Sequence, residues 1–187
     1  MTEFKGNDKS LTRRKFLIHA AGTALGGLAF CAPMSALGSL PRTRTLSFYH
    51  THTGETFDVS TTNGHYTTRD RKKLFTFLRD FRTGDTHPMD IRLFSTLMKI
   101  QDLTGSNGVY EVISGYRSPQ TNNMLRSRSN GVAKTSYHMK GQAIDIRLSD
   151  VKTSHLRDIA RKLQTGGVGY YRRSDFVHID TGPVRFW

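Results

Sequence analysis

Internal disulfides are excluded from the outset, because the 187-residue chain has a single cysteine, Cys31. A chain of this length can bury a hydrophobic core without covalent staples, so one globular domain, with or without a tail, is expected. A long apolar run is also missing. The Gly/Ala-rich stretch Phe16–Phe30 covers 15 residues, short of the roughly 20 that cross a bilayer. Acidic residues are scarce: 15 Asp and Glu stand against 28 Lys and Arg, a formal charge of +13. Such an imbalance favours a polyanionic partner, a description that fits nucleic acid, an anionic cell wall and lipid headgroups alike. No glycine–aromatic signature or recognition-helix pattern accompanies the charge, so a nucleic-acid partner is not expected. Internal repeats and low-complexity tracts are absent too.

What is present begins with the first 38 residues. Arg13, Arg14 and Lys15 precede the weakly apolar stretch, and small residues follow at Ala36 and Gly38. A basic start, a short apolar core and a small-residue exit, in that order, describe a signal peptide. The segment Thr12-Arg13-Arg14-Lys15-Phe16-Leu17 resembles the twin-arginine export signal. Cleavage is expected near Gly38 or Ser39. Lipidation of Cys31 is not expected, because the bulky Phe30 precedes it. The division is therefore a twin-arginine-type signal peptide over 1–38, a linker over 39–44 and one domain over 45–187. Residues 39–187 keep 23 Lys and Arg against 13 Asp and Glu, a net +10. We expect a periplasmic monomer in peripheral contact with wall or membrane.

Leu46 and Phe48 alternate with Phe57 and Val59 around His52-Thr53-Gly54, the pattern of a hairpin over Thr45–Ser60. Leu74, Phe75, Leu78 and Phe81 recur at helical spacing after Thr67 and Thr68, with Gly84 as the stop. A second helix is expected after Pro88, with Asp90 at its start, a stripe of Leu93, Phe94, Leu97, Met98 and Ile100, and Gly105 as its end. Tyr110–Ile113 reads as a short strand. Pro119 suits the first turn of a helix reaching Ser127. Ala143–Leu148 alternates as a strand with Ile144, Ile146 and Leu148 on one face. Leu156, Ile159, Ala160 and Leu163 mark a further helix. Val168–Tyr171 and Phe176–Ile179 read as paired closing strands. This order predicts an α+β domain, with an N-terminal hairpin and helices packed on a small antiparallel sheet.

Three residues form a candidate metal site: His138 in a loop, Asp145 in a strand seven residues later, and His178 in the last strand. A catalytic zinc takes three nitrogen or oxygen ligands and leaves a position open for water. Asp145 sits between Ile144 and Ile146, on the face opposite theirs. The other histidines beyond residue 39 (His50, His52, His65, His87 and His155) fall in expected turns or on exposed helix faces. Only His50 and His52 form a rival close pair.

Ser136-Tyr137-His138-Met139-Lys140-Gly141-Gln142-Ala143-Ile144-Asp145 resembles the Ser-x-His-x-x-Gly-x-Ala-x-Asp motif of the zinc D-Ala-D-Ala peptidases. Those enzymes share a fold group with lysostaphin-type enzymes and the hedgehog signalling domain. Ser114-Gly115-Tyr116-Arg117-Ser118 is similar to that family's Arg-bearing segment. The closing His178-Ile179-Asp180, with Gly167-Val168-Gly169-Tyr170-Tyr171 before it, resembles the YcbK (MepK) type of murein endopeptidase. The resemblance implies a zinc peptidase domain that hydrolyses peptide cross-links of peptidoglycan, with Zn2+ on His138, Asp145 and His178. It leaves two alternatives, a D,D- or L,D-carboxypeptidase acting on stem peptides and a non-catalytic peptidoglycan-binding module. A carboxylate is needed to carry the proton. Asp175 has the family's spacing before His178. Asp180, two residues after it, projects from a continuing strand to the same face, where it could instead orient the imidazole. Arg117 is implied near the metal, as a contact for a substrate carboxylate or an oxyanion. Ser136 is implied as a loop-ordering hydrogen bonder. Independently of the resemblance, Arg126, Arg128 and Lys134 put positive charge around the metal loop, either to hold an anionic glycopeptide or as a solvated face.

Overall fold

The computed structural model describes residues 42–129 and 131–187, so the expected leader and most of the linker lie outside the described residues. The elements are β1 (Thr43–His50), β2 (Thr56–Thr62), α1 (Thr68–Phe77), α2 (Ile91–Thr104), β3 (Tyr110–Ser114), α3 (Pro119–Arg128), a 3-10 turn (Tyr137–Lys140), β4 (Ala143–Leu148), α4 (Thr153–Leu163), β5 (Gly167–Tyr171), β6 (Phe176–Asp180) and β7 (Arg185–Phe186). No helix among the described residues is long and apolar enough to cross a membrane.

The fold is mixed α+β, but the sheet is larger than expected and not purely antiparallel. Its order is β2-β1-β3-β4-β6-β5-β7. The neighbours β2–β1, β3–β4, β4–β6 and β6–β5 are antiparallel. β1 runs parallel to β3, and β5 runs parallel to β7. The first parallel pair arises because the chain returns from the hairpin through α1 and α2 before it adds β3. β1 also starts at Thr43, inside the expected linker, because Thr43 and Arg44 pair with Thr62 and Thr61. Arg44 is further held by an ion pair to Asp102 on α2.

Strand alternation sorts the two faces of the sheet. Leu46 pairs with Val59 and Phe48 with Phe57, while Ile144, Ile146, Leu148, Val177 and Ile179 are buried with Leu93, Phe94, Leu97 and Leu156. Phe48 meets Phe77, Phe94 and Tyr110 with ring centroids 5.9–6.4 Å apart. The buried Tyr110 hydroxyl donates to the Leu97 carbonyl at 2.7 Å, so the phenol costs the core nothing in lost hydrogen bonding. α2 starts and ends as its sequence predicts: Asp90 accepts from the Arg92 N–H and Gly105 closes the helix at φ 65°.

α1 departs from expectation. It begins where Thr67 accepts from the Asp70 N–H but ends at Phe77, short of Phe81. The cause is Asp80. Its N–H donates to the Asp85 carbonyl, its carbonyl accepts from Gly84, and its side chain accepts from Arg82 N–H. These bonds form a turn in place of another helical turn. Phe81 stacks on His52 instead, at 4.1 Å. His50, expected in a turn, closes β1 fully buried, and its Nδ1 accepts from the His52 N–H.

Phe48 has almost no exposure, and its loss would open a cavity under three aromatic neighbours. Phe48→Ala is expected to cost about 3–5 kcal/mol, read as a lower urea midpoint with an unchanged slope.

Candidate metal centre

Antiparallel pairing sets Asp145 of β4 directly opposite His178 of β6. Both project from the face of the sheet opposite the core side chains of Ile144, Ile146, Val177 and Ile179. His138 comes from the 3-10 turn just before β4. The Ser136 hydroxyl caps that turn by accepting from the His138 N–H at 3.3 Å. Gly141 ends it at φ 64°, and a Cβ there would lie 2.2 Å from the Pro88 carbonyl oxygen. Only glycine satisfies both the positive φ and the close approach.

Among the described residues, His138, Asp145 and His178 are the one buried group whose ligand atoms converge so as to hold a metal ion. His138 Nε2 lies 3.2 Å from His178 Nδ1 and 3.3 Å from Asp145 Oδ1; His178 Nδ1 lies 2.8 Å from the same oxygen. Each imidazole is anchored through its other nitrogen. His138 Nδ1–H donates to the Gly115 carbonyl at 2.8 Å, and His178 Nε2–H donates to Asp180 at 2.9 Å. These bonds set the tautomers, leaving the lone pairs of two imidazoles and a carboxylate aimed at one point. Three facing acceptors repel unless positive charge sits among them.

Ionisation follows the same logic. Burial works against the Asp145 carboxylate, yet His138 and His178 outweigh it and hold its pKa far below the usual range. Burial lowers the His138 pKa. Burial also pulls His178 down, but its bonds to Asp145 and Asp180 prevail and lift it to about 9. Positive charge is thus favoured within the cluster, and a divalent cation would satisfy all three candidate ligands at once.

Asp180 is fully buried and its oxygens are taken. They accept from Gly167 N–H, Gly182 N–H, both terminal nitrogens of Arg185, and His178. Those bonds overcome the cost of burial and hold its pKa well below the carboxylate range. Asp175 lies apart from the cluster. It sits exposed in the β5–β6 turn at φ 51° and accepts from Thr153 at 2.5 Å, with Arg147 3.8 Å away. Neither acid faces the cavity.

That cavity, of about 530 Å³, opens over the cluster. Arg117 lines it, its Nη2 4.0 Å from Asp145 Oδ2 and its buried Nε without a hydrogen-bond partner. Burial lowers the Arg117 pKa, with Asp145 opposing. The Arg117 N–H donates to the His138 carbonyl, and the Ser118 N–H donates to Asp80 at 2.8 Å. The turn after α1 therefore holds the Arg-bearing segment. Arg126, Arg128 and Lys134 do not line the cavity, and the Asn122 amide holds the adjoining loop by donating to the carbonyls of Ala133 and Lys134.

The residues that sequence reasoning missed are aromatic and C-terminal. Tyr137, Tyr171, Phe176, Arg185 and Trp187 complete the wall. Trp187 lies over Gly169, where a Cβ would sit 2.5 Å from the indole, and its Nε1–H donates to the Tyr171 hydroxyl at 3.2 Å. The Gly167-x-Gly169 spacing inside a strand was the available signal, since glycine there marks a close approach.

The family model described as peptidoglycan L,D-endopeptidase MepK matches residues 39–187. The chain belongs to this family. Similar relatives include the peptidoglycan L,D-endopeptidase MepK of Escherichia coli strain K12 and that of Shigella flexneri. Each is 44% identical over 181 residues, covering 96% of this chain and 100% of the relative. The probable peptidoglycan L,D-endopeptidase MepK of Haemophilus influenzae is 44% identical over 178 residues, 94% of this chain and 95% of its own. This MepK-family chain thus matches its relatives nearly end to end.

Two outcomes test the site's supports. Asp80 is buried, but bonds from Thr121, Ser118 and Arg82 outweigh that burial and lower its pKa. Its stabilising effect is full above the unfolded value of about 3.9 and fades as pH falls through the lower folded value. Wild type should therefore exceed Asp80→Asn in stability at pH 7, with the gap closing below about pH 4 in denaturant titrations. Gly169→Ala should displace the indole of Trp187, the chain's only tryptophan, and move its fluorescence to longer wavelength. Unchanged emission would contradict the packing described.

Proposed function

We propose that this chain is a zinc-dependent peptidoglycan endopeptidase that cuts peptide cross-links outside the cytoplasm. The observation that carries the proposal is the convergence of His138 Nε2, Asp145 Oδ1 and His178 Nδ1 at the base of a cavity, in a chain of the MepK family. A two-nitrogen, one-oxygen set with a cavity above it suits a catalytic zinc. Bonds of about 2.0–2.1 Å to a tetrahedral zinc put neighbouring ligand atoms roughly 3.3 Å apart, close to the separations of 2.8–3.3 Å here. The relatives' names specify an L,D-bond, and we assign the same specificity to this chain.

A bound zinc would supply a Lewis acid that acidifies water and polarises the scissile carbonyl. The protein's own part is then legible. The Gly115 carbonyl and Asp180 hold the two imidazoles in the metal-facing tautomer. Arg117, which lines the cavity beside Asp145, takes the negative charge that develops on the carbonyl oxygen or a carboxylate of the stem peptide. Asp180 is assigned the orienting role, because its lone pairs are already occupied. Asp175 is assigned none at the metal. The aromatic wall excludes water from one side of the cleft. The leader over 1–38, read as a twin-arginine signal, accounts for an extracytoplasmic location, and residues 39–187 form the working unit.

One observation favours a second reading. Asp145 is the only carboxylate lining the cavity among the described residues, as suits a metal-holding module that binds wall peptides without turnover. Mass analysis of muropeptides separates the two. The wild-type chain is expected to carry one zinc and to release smaller muropeptides from cross-linked wall, and His138→Ala to lose both metal and cleavage. Arg117→Ala should retain zinc but lower kcat/KM by about 10²–10³-fold. Wall binding with zinc but no cleavage would establish the binding module instead. Release limited to uncross-linked stems would indicate a carboxypeptidase.

A further inference from the structure

β7 adds only two residues to the sheet, yet it brings Arg185 to the back of the metal centre. Its Nη1 donates to Asp180 Oδ1 at 3.0 Å and its Nη2 to Asp180 Oδ2 at 2.6 Å. The same carboxylate accepts from His178 Nε2–H at 2.9 Å, Gly182 N–H at 2.9 Å and Gly167 N–H at 3.1 Å. Five bonds saturate the roughly four lone-pair directions of a carboxylate. Asp180 therefore cannot turn without breaking several bonds at once, and the His178 ring cannot turn without Asp180.

Arg185 is itself held on two sides. Its guanidinium carbon lies 4.8 Å from the Tyr137 ring centre and 5.0 Å from that of Trp187. Tyr137 adjoins His138 in the chain, so one cation touches the supports of both histidines. Three glycines make the room: a Cβ on Gly182 would lie 2.4 Å from the Tyr137 ring, one on Gly169 would lie 2.5 Å from the indole, and one on Gly167 would lie 2.5 Å from both Arg185 Nη1 and Asp180 Oδ2. A flat, forked cation fills this space. A lysine ammonium offers neither the fork nor the stacking faces.

We propose that Arg185, clamped between Tyr137 and Trp187, is a positioning residue that locks Asp180 and thereby keeps His178 Nδ1 aimed at the metal. The inference rests on the metal-centre reading above, and it assigns Arg185 an effect that precedes any contact with substrate. It is tested on the purified full chain without wall material. Zinc affinity of wild type, Arg185→Lys and Arg185→Met is measured by competition with a chromophoric chelator, with far-UV dichroism as the check on folding. Both variants should bind zinc about 10–100-fold more weakly, the usual effect of removing a ligand's supporting partner. The visible bands of the cobalt-substituted variants should also shift, reporting altered ligand geometry. Should Arg185→Met not fold, Arg185→Lys, which keeps the charge, carries the comparison. Zinc affinities within twofold of wild type would overturn the proposal, even if cleavage fell. A wild-type chain that takes up no zinc would instead bring down the metal-centre reading on which the proposal stands.

Discussion

The antiparallel pairing of β4 with β6 is the constraint on which the rest of the centre depends. With Asp145 opposite His178, two candidate ligand atoms meet across one rung of the sheet without help from a loop. A slip of one residue in either strand would turn that strand's side chain, Asp145 or His178, into the hydrophobic core and bring a core neighbour such as Ile146 or Val177 to the cavity. The buried residues between the ligands hold the register: Ile144 lies opposite Ile179 and Ile146 opposite Val177, all within the core under α2 and α4. Core packing and ligand placement are therefore one condition seen from two faces of the same strands.

The third candidate ligand is positioned by different means. His138 sits on a turn whose start is capped by Ser136, whose end requires Gly141, and whose ring is tied to the Gly115 carbonyl. The Gly115–Ser118 segment in turn hangs from Leu78 and Asp80, because the Tyr116 N–H donates to the Leu78 carbonyl and the Ser118 N–H to Asp80. The early helices thus act on the site through hydrogen bonds to backbone, not through side chains that enter the cavity. The chain's excess of basic residues reaches the site through Arg117 and Arg185, which line the same cavity as the buried carboxylate of Asp145.

Much of this was legible in residue order. Alternation around Asp145 and the spacing of His138 marked the strand and the turn, and the caps of α2 fell on Asp90 and Gly105. Other features depend on partners far away in sequence. The end of α1 could not be read from apolar spacing, because Phe81 continues the stripe while Asp80 claims the hydrogen bonds that would continue the helix. The standing of Asp180 and Asp175 was open for a similar reason. Spacing puts both near His178, but Asp175 follows a left-handed turn to Thr153, and Asp180 is saturated by an arginine from a strand too short to show any periodicity. The parallel pairing of β1 with β3 leaves no mark on either strand's own sequence.

That parallel pair has a kinetic side. Phe48 finds Tyr110 across 62 positions of chain, whereas Asp145 finds His178 across 33. Loop-closure entropy grows only with the logarithm of separation, so the difference amounts to about 0.6 kcal/mol. Both closures are long-range, which gives the domain a high contact order and the slower folding that accompanies it. Under the twin-arginine export proposed above, a route that passes folded proteins, that slowness would matter: the sheet would have to close, and the three side chains meet, before passage begins.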